Sequence, residues 1–334
     1  MTGVAFHPCS SVSINGLVFH CPQQGAYLGG MLNSRGNALI VLHITVFIWG
    51  WTGIFGNLIE QSTFPLVYTR TVIAIIGIAV LGLVMRQRLD PRSPDLSQWL
   101  LTGVLIAAHW ITFYGAIKIS TASIAAGCLA SSTVFTALLE PFWFKRRIRL
   151  YEVVLGVVVM AALLMIFGLE TRHRWGIVVA TISSFLSAWF NVVNGVLVKR
   201  DNAFRIGFYE LLAVVVIMGI GCALLGDLPP PLWTLSGDQI TYHLLLGIVC
   251  TSISFTAGIA VMKQLSPFTV MMAVNLEPVY TIIIALILWP TTEKLHIGSY
   301  VGFALILACL LLNAWWQKRQ VPREGPEPEP LVQG

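Results

Sequence analysis

The stretch MMAVNLEPVYTIIIALILW, Met271 to Trp289, is apolar enough to cross a bilayer, yet it carries Glu277 near its middle, followed at once by Pro278. A helix rising about 1.5 Å per residue needs about 20 apolar residues to cross about 30 Å of hydrocarbon. An ionised carboxylate at the centre of such a helix costs roughly 2.5 to 3.5 kcal/mol. Protonating a reference glutamate at pH 7 costs about 3.7 kcal/mol, taking about 1.36 kcal/mol per pH unit. The two costs nearly match, so a partner cation, a substrate amine or a change of access is enough to tip the protonation of Glu277. Pro278 has no N–H, which frees a carbonyl about one turn earlier, around Val274, for a ligand or water. The plainer alternative is a protonated Glu277 bonded between packed helices, with Pro278 as a kink; the functional reading is preferred.

The rest of the chain explains why a membrane is the setting. Of 334 residues 56% are hydrophobic and 10% charged, and the mean hydropathy is +0.80. A soluble domain has no core large enough to hide that much apolar surface. The net charge of +5 is no nucleic-acid footprint, because the bases lie in short clusters between apolar runs. Six cysteines are scattered without CxxC or Cys/His spacing, which predicts neither a disulfide framework nor a metal site, and no cofactor is expected. Residues 1–37 lack a basic segment followed by an apolar one and are expected to be a disordered N-terminal extension, with Met31 as an alternative start. Residues 317–334, with VPREGPEPEP, are expected to be a disordered cytoplasmic tail.

Ten apolar runs begin near Ala38, Phe64, Gln98, Ser123, Tyr151, Trp175, Ile206, Tyr242, Phe268 and Ile297. With both termini in the cytoplasm, the inner side receives fifteen bases, in clusters such as Arg86/Arg88/Arg92, Lys145 to Arg149 and Lys199/Arg200/Arg205. The outer side receives four, Lys118, Arg172, Arg174 and Lys294. That asymmetry predicts a multi-pass protein of the plasma (inner) membrane, and an odd number of spans would spoil it. The halves also resemble each other at an offset of 145, which aligns Lys118 with Lys263 and Thr136 with Thr281. Five spans per repeat is odd, so the second copy inserts upside down relative to the first, an architecture of secondary transporters. The expected fold is therefore all-α and polytopic, ten transmembrane helices as two inverted five-helix repeats over residues 38–170 and 175–316.

IWGWTGIFGNLI in the first span, Arg70 early in the second, YGAIKIS closing the third and LSPFTVMMAVNLEPVY entering the ninth resemble the EamA-like permeases of the drug/metabolite transporter superfamily, over about Ala38 to Trp316. The resemblance implies two EamA-like repeats, a central cavity and transport of a small metabolite, most often export. The first repeat departs from the pattern: Thr133 stands where the proline represented by Pro278 tends to be, and FKRR where an acidic residue usually ends the fourth span.

Around Glu277 the candidates for substrate binding or coupling are Asn275 and Tyr280, the latter three residues on and close to the same face. In the sixth span Ser184, Ser187, Asn191 and Asn194 step by three, four and three residues and so share one polar face, with Trp189 nearby. Such a face lines a cavity or a hydrogen-bonded helix interface. Trp49 is a candidate pocket wall, while Gly53 and Gly56 beside it are read as packing glycines. Arg70 either binds a substrate carboxylate or caps carbonyls; His43, His109 and Tyr114 are further candidates, although a lone histidine on an apolar helix is more often a packing residue. Glu140, also followed by proline, is out of register with Glu277 and lies beside the basic cluster, where a salt bridge is expected. Arg70 and its pseudo-equivalent Glu210 are not expected to pair.

The function expected is secondary transport of a small metabolite such as an amino acid, by alternating access and open to proton coupling. GxxxxGK[ST] is absent, so ATP does not drive it directly. The alternatives are an uncoupled facilitator or a non-transporting scaffold or sensor. An intramembrane enzyme lacks HExxH, GxSxG or paired aspartates.

Overall fold

A computed structural model describes residues 12–14, 17–19, 34–120, 125, 128–167, 174–288 and 297–320. Of the N-terminal extension it shows a small antiparallel hairpin, β1 (Val12–Ile14) on β2 (Leu17–Phe19), and the start of the first helix. All else that is regular is helical.

The helices are α1 (Arg35–Leu58), α2 (Thr63–Val84), α3 (Leu96–Ile119), α4 (Ser131–Trp143), α5 (Leu150–Phe167), α6 (Arg174–Leu197), α7 (Ala203–Leu225), α8 (Gly237–Val261), α9 (Pro267–Val274), α10 (Glu277–Leu288) and α11 (Ile297–Gln320). Six of them, α1, α2, α3, α6, α7 and α8, are long and apolar enough to cross a membrane; Leu150–Leu163 and Ala304–Trp316 are shorter apolar helices. Their outward faces are apolar, with Leu83, Val84, Leu224 and Ile287 exposed. That pattern suits lipid as the outer solvent. The expected start near Ser123 falls partly outside the described residues.

Local sequence explains where helices start and stop. Ser34, Asn202, Ser236 and Ser266 each accept a hydrogen bond from the N–H three residues on, capping α1, α7, α8 and α9. Gly226, at φ 65, closes α7 in the left-handed conformation that glycine adopts without a Cβ penalty. Residues 317–320, expected to belong to the disordered tail, instead complete α11. Lys318 and Arg319 sit in its last turn, where cations favour the helix dipole, and Arg319 lies 3.9 Å over the Trp315 ring.

The packing follows a two-fold scheme. α3 packs on α6 and α7, and α8 packs on α1 and α2; α4 packs on α6, and α9 with α10 on α1. α2 meets α7, α4 meets α9, and α5 meets α11. Exchanging each first-half element for its second-half counterpart reproduces this pattern. The offset of 145 also recurs in a break: Ala130 precedes α4 and Asn275 is the C-cap that precedes α10. Leu276 N–H bonds to the Ala273 carbonyl at the second break, and Thr133 N–H to the Ala130 carbonyl at the first.

One departure from regular helix escaped the sequence. Leu245–Ile253 in α8 is π-helical. Thr251, Ser252 and Ser254 donate their hydroxyls to the carbonyls of Leu246, Gly247 and Val249, five residues back in each case. Wide turns of this kind recur at functional sites. Here they carry Cys250 and Thr251 toward the centre of the bundle.

Candidate functional site

A cavity of about 900 Å³, open solvent at its mouth included, lies between the two halves. Of the twelve candidate residues, Trp49, Arg70, His109, Tyr114, Ser187, Asn191, Asn194 and Glu277 line it. They come from α1, α2, α3, α6 and the start of α10, so both halves contribute. The remaining wall is largely apolar, including Trp110, Phe113, Phe190 and Phe255.

Arg70 is the cationic pole. It is 4% exposed, donates from Nη1 to the Tyr114 hydroxyl at 2.9 Å, and lies 4.4 Å from the centre of the Trp110 ring. Its buried Nε has no hydrogen-bond partner. A guanidinium held by one phenol and one indole keeps donors free for a carboxylate. The carbonyl-capping role considered from the sequence is absent among the described residues.

Glu277 is the acidic group of the cavity. It opens α10, is only partly buried, and its carboxylate accepts no hydrogen bond from a described residue. The break at Asn275 and Leu276 is what brings it to the wall, since the chain re-enters helix at Glu277 with Pro278 next. Pro278 sits where its missing N–H is of no consequence to the helix it begins. Val274, four residues earlier, lines the same cavity.

Four candidates stand outside the cavity. Tyr280 makes an edge contact with Phe47 at 5.5 Å; three residues of helix turn it away from Glu277 far enough to leave the wall. Asn275 turns toward the first half, donating to Thr133 Oγ1 at 2.7 Å and to the Met271 carbonyl at 2.9 Å. Trp189 packs on Phe185 at 5.7 Å and Trp143 at 6.2 Å, because it lies on the flank of α6 opposite the polar stripe. His43 is exposed beside Ile40, Ile44 and Phe47, on the outer face of α1.

The stripe on α6 divides. Ser187, Asn191 and Asn194 reach the cavity, whereas Ser184 donates to the Cys128 carbonyl at 2.7 Å and binds α6 to the first half. His109 presents one edge to the cavity, while its Nδ1 is 2.8 Å from the Ser183 hydroxyl and 3.0 Å from the Ser183 carbonyl. α1 packs through Gly50 and Gly53 on Thr281, whose hydroxyl donates to the Gly50 carbonyl at 2.8 Å. Glu140 accepts from the Phe268 N–H at 2.8 Å and pairs with Arg146 at 3.2 Å; Arg146 also holds Glu152 at 2.6 Å.

Sequence reasoning missed Trp110, because only the fold shows that an indole flanks Arg70. It gave Glu210 no role, although Glu210 is fully buried beside Asn194. Among the described residues no cluster of His, Cys, Asp or Glu is arranged to hold a metal ion.

Six long apolar helices and a central cavity between the halves describe a multi-pass membrane protein. The model of the EamA-like transporter family matches residues 36–168 and again residues 174–315, and the chain belongs to that family. Family members transport small solutes across membranes; the family is not an enzyme family. No curated protein matches the chain significantly. Solved structures do match, among them one described only as "Crystal structure of protein", at 15% identity and a TM-score of 0.72, covering 86% of this chain and 99% of its own. At that identity the likeness is one of fold.

Proposed function

We propose that the protein is a secondary transporter that exports a zwitterionic small metabolite, an amino acid or a close analogue, across the plasma membrane. In this reading the chain crosses the bilayer ten times as two inverted five-helix repeats, with both termini in the cytoplasm, and alternates access by rocking one half against the other. Export is the direction the family resemblance favours.

The observation that carries the substrate class is the pairing of poles in one apolar cavity: Arg70 from the first half and Glu277 from the second. A carboxylate on the guanidinium and an ammonium on Glu277 would satisfy both charges at once. The indoles of Trp49 and Trp110 and the rings of Phe113, Phe190 and Phe255 would take an apolar or aromatic side chain. Ser187 and Asn191 add hydrogen-bonding groups on the wall.

The test is flux in proteoliposomes for a panel of labelled amino acids, nucleosides and organic cations, with and without an inward proton gradient. The expected result is flux of amino acids that Arg70→Ala and Glu277→Gln both reduce in protein that is still folded and inserted. Amino-acid flux unchanged in both variants would sink the assignment. Flux of one class that ignores the gradient would leave an uncoupled facilitator.

A further inference from the structure

Behind the cavity wall, on the far side of Asn194, lies Glu210. It sits in the second turn of α7, is 0% exposed, and has no charged partner among the described residues. α3 crosses it closely: Gly103 stands against the Glu210 carbonyl so tightly that a Cβ there would collide with it. The sole side-chain hydrogen bond to its carboxyl group among the described residues comes from Asn194 Nδ2 to Oε2, at 3.2 Å. Two buried oxygens at this contact are left without partners, Glu210 Oε1 and Asn194 Oδ1.

Two acceptors cannot bond to each other. A single proton on Glu210 removes the conflict, because a carboxylic acid offers one O–H while a carboxamide offers one N–H and one oxygen. The acid and the amide then carry complementary groups, an N–H for Oε2 and an O–H for the amide oxygen. Turning the amide over makes the same demand, since Oδ1 would then face Oε2 and only an O–H could lie between them. An ionised Glu210 would leave a buried charge held by one neutral donor, which is costly inside a membrane bundle.

The ionisable groups on the elements packed against α7 do not replace that proton. Arg70 on α2, His109 and Tyr114 on α3 and Cys250 on α8 all face the cavity. Tyr68 of α2 lies against Gly219, and Tyr242 of α8 stacks with Phe55. On α7 itself Arg205 is paired with Asp90 and Asp201, and the Tyr209 hydroxyl donates to the Leu89 carbonyl.

We infer that Glu210 is a proton-binding site, that Asn194 holds the proton in place, and that Asn194 couples it to the central cavity. The inference rests on the transporter reading and deepens it. Asn194 belongs to the cavity wall and to the proton site at once. A substrate that draws the Asn194 amide into the cavity strands the Glu210 O–H and favours its release. A proton arriving on Glu210 recaptures the amide and weakens its hold on substrate. This assigns the coupling proton to Glu210 and leaves Glu277 to the substrate's ammonium.

Infrared spectroscopy of the reconstituted full-length protein at neutral pH tests the site without reference to transport. The difference between wild type and Glu210→Gln should contain the C=O stretch of a hydrogen-bonded carboxylic acid. Carboxylate stretches in its place would overturn the inference. Should Glu210→Gln not fold, Asn194→Ala gives the second reading: its acid band should move to higher frequency as the acid loses its partner, and an unmoved band overturns the pairing. Coupling is read in proteoliposomes, where an inward proton gradient should stimulate wild-type flux and fail to stimulate Glu210→Gln. Gradient stimulation that survives in Glu210→Gln, or is absent from wild type that does transport, overturns the coupling step. Wild type that moves no solute at all defeats the transporter reading while the infrared result stands on its own.

Discussion

Glu140 and Glu277 share a local signature, a glutamate followed by proline in a helix of apolar residues, and the fold uses them in opposite ways. Glu140 lies near the end of α4, where Arg146 and the Phe268 N–H both bind its carboxylate. Phe268 is the second residue of α9, so this contact ties the last turn of a first-half helix to the first turn of a second-half helix. Glu277 lies at the start of α10 and offers its carboxylate to the cavity. One carboxylate is consumed by the protein, and the other faces the cavity without a hydrogen-bond partner among the described residues. The lesson is that register within the repeat sets the role. The offset of 145 matches Glu277 to Ser132, in the first turn of α4, and Glu140 stands two turns further along.

The largest expected effect is at the free carboxylate. Losing one partner of a desolvated charge contact costs about 2 to 5 kcal/mol, and each 1.4 kcal/mol is about tenfold. Glu277→Gln should therefore weaken binding of a zwitterionic substrate by about 30-fold or more, measured by calorimetry on purified protein, with its melting temperature unchanged. A melting temperature that falls while affinity holds would put Glu277 in the same structural class as Glu140.

Glu140→Ala should show the converse. Arg146 keeps Glu152, so the expected loss is below the roughly 3 to 5 kcal/mol of a fully broken buried pair, and about 2 kcal/mol is a fair figure. Thermal unfolding in detergent should show it. Substrate affinity in the folded fraction should stay within about twofold. Glu140→Gln should lose less than Glu140→Ala, because the amide oxygen still accepts from the Phe268 N–H.

Trp110→Ala comes next and concerns the opposite pole. A desolvated cation over an indole is worth up to about 2 kcal/mol. Freeing Arg70 from Trp110 should weaken substrate binding by about tenfold, and an amine analogue lacking the carboxylate should be indifferent to the change. Equal losses for both ligands would mean that Trp110 acts as a hydrophobic wall alone.

Much of this was legible in the sequence because it depends on period and on charge. The polar stripe of α6 is a helical spacing, and three of its four members reach the cavity. Arg70 and Glu277 are visible as charges in apolar runs. The residues placed wrongly were those whose side matters more than their presence. Trp189 and Tyr280 are near the right residues in sequence and on the wrong flank of their helices. The π turns of α8 were hidden because hydroxyls bonding five residues back leave no mark on hydropathy. Sequence position makes Glu210 the pseudo-equivalent of Arg70 and puts Asn194 on the polar stripe, but the contact between α6 and α7 that joins them cannot be read from either helix.

The smallest effect probes the seam between the two breaks. Asn275 donates to Thr133 at 2.7 Å, and Thr133 is the residue standing where the second repeat has Pro278. A proline at 133 would offer Asn275 no side-chain acceptor, so the threonine is what allows this bond across the interface between halves. Asn275 also donates to the Met271 and Met272 carbonyls, and truncation removes those bonds as well. Thr133→Val should cost about 1 kcal/mol of stability, and Asn275→Ala more, because it loses the carbonyl bonds too. Since both remove the same bond, the double variant should cost less than their sum by several tenths of a kcal/mol or more. Additive losses would show that the two residues do not share the bond.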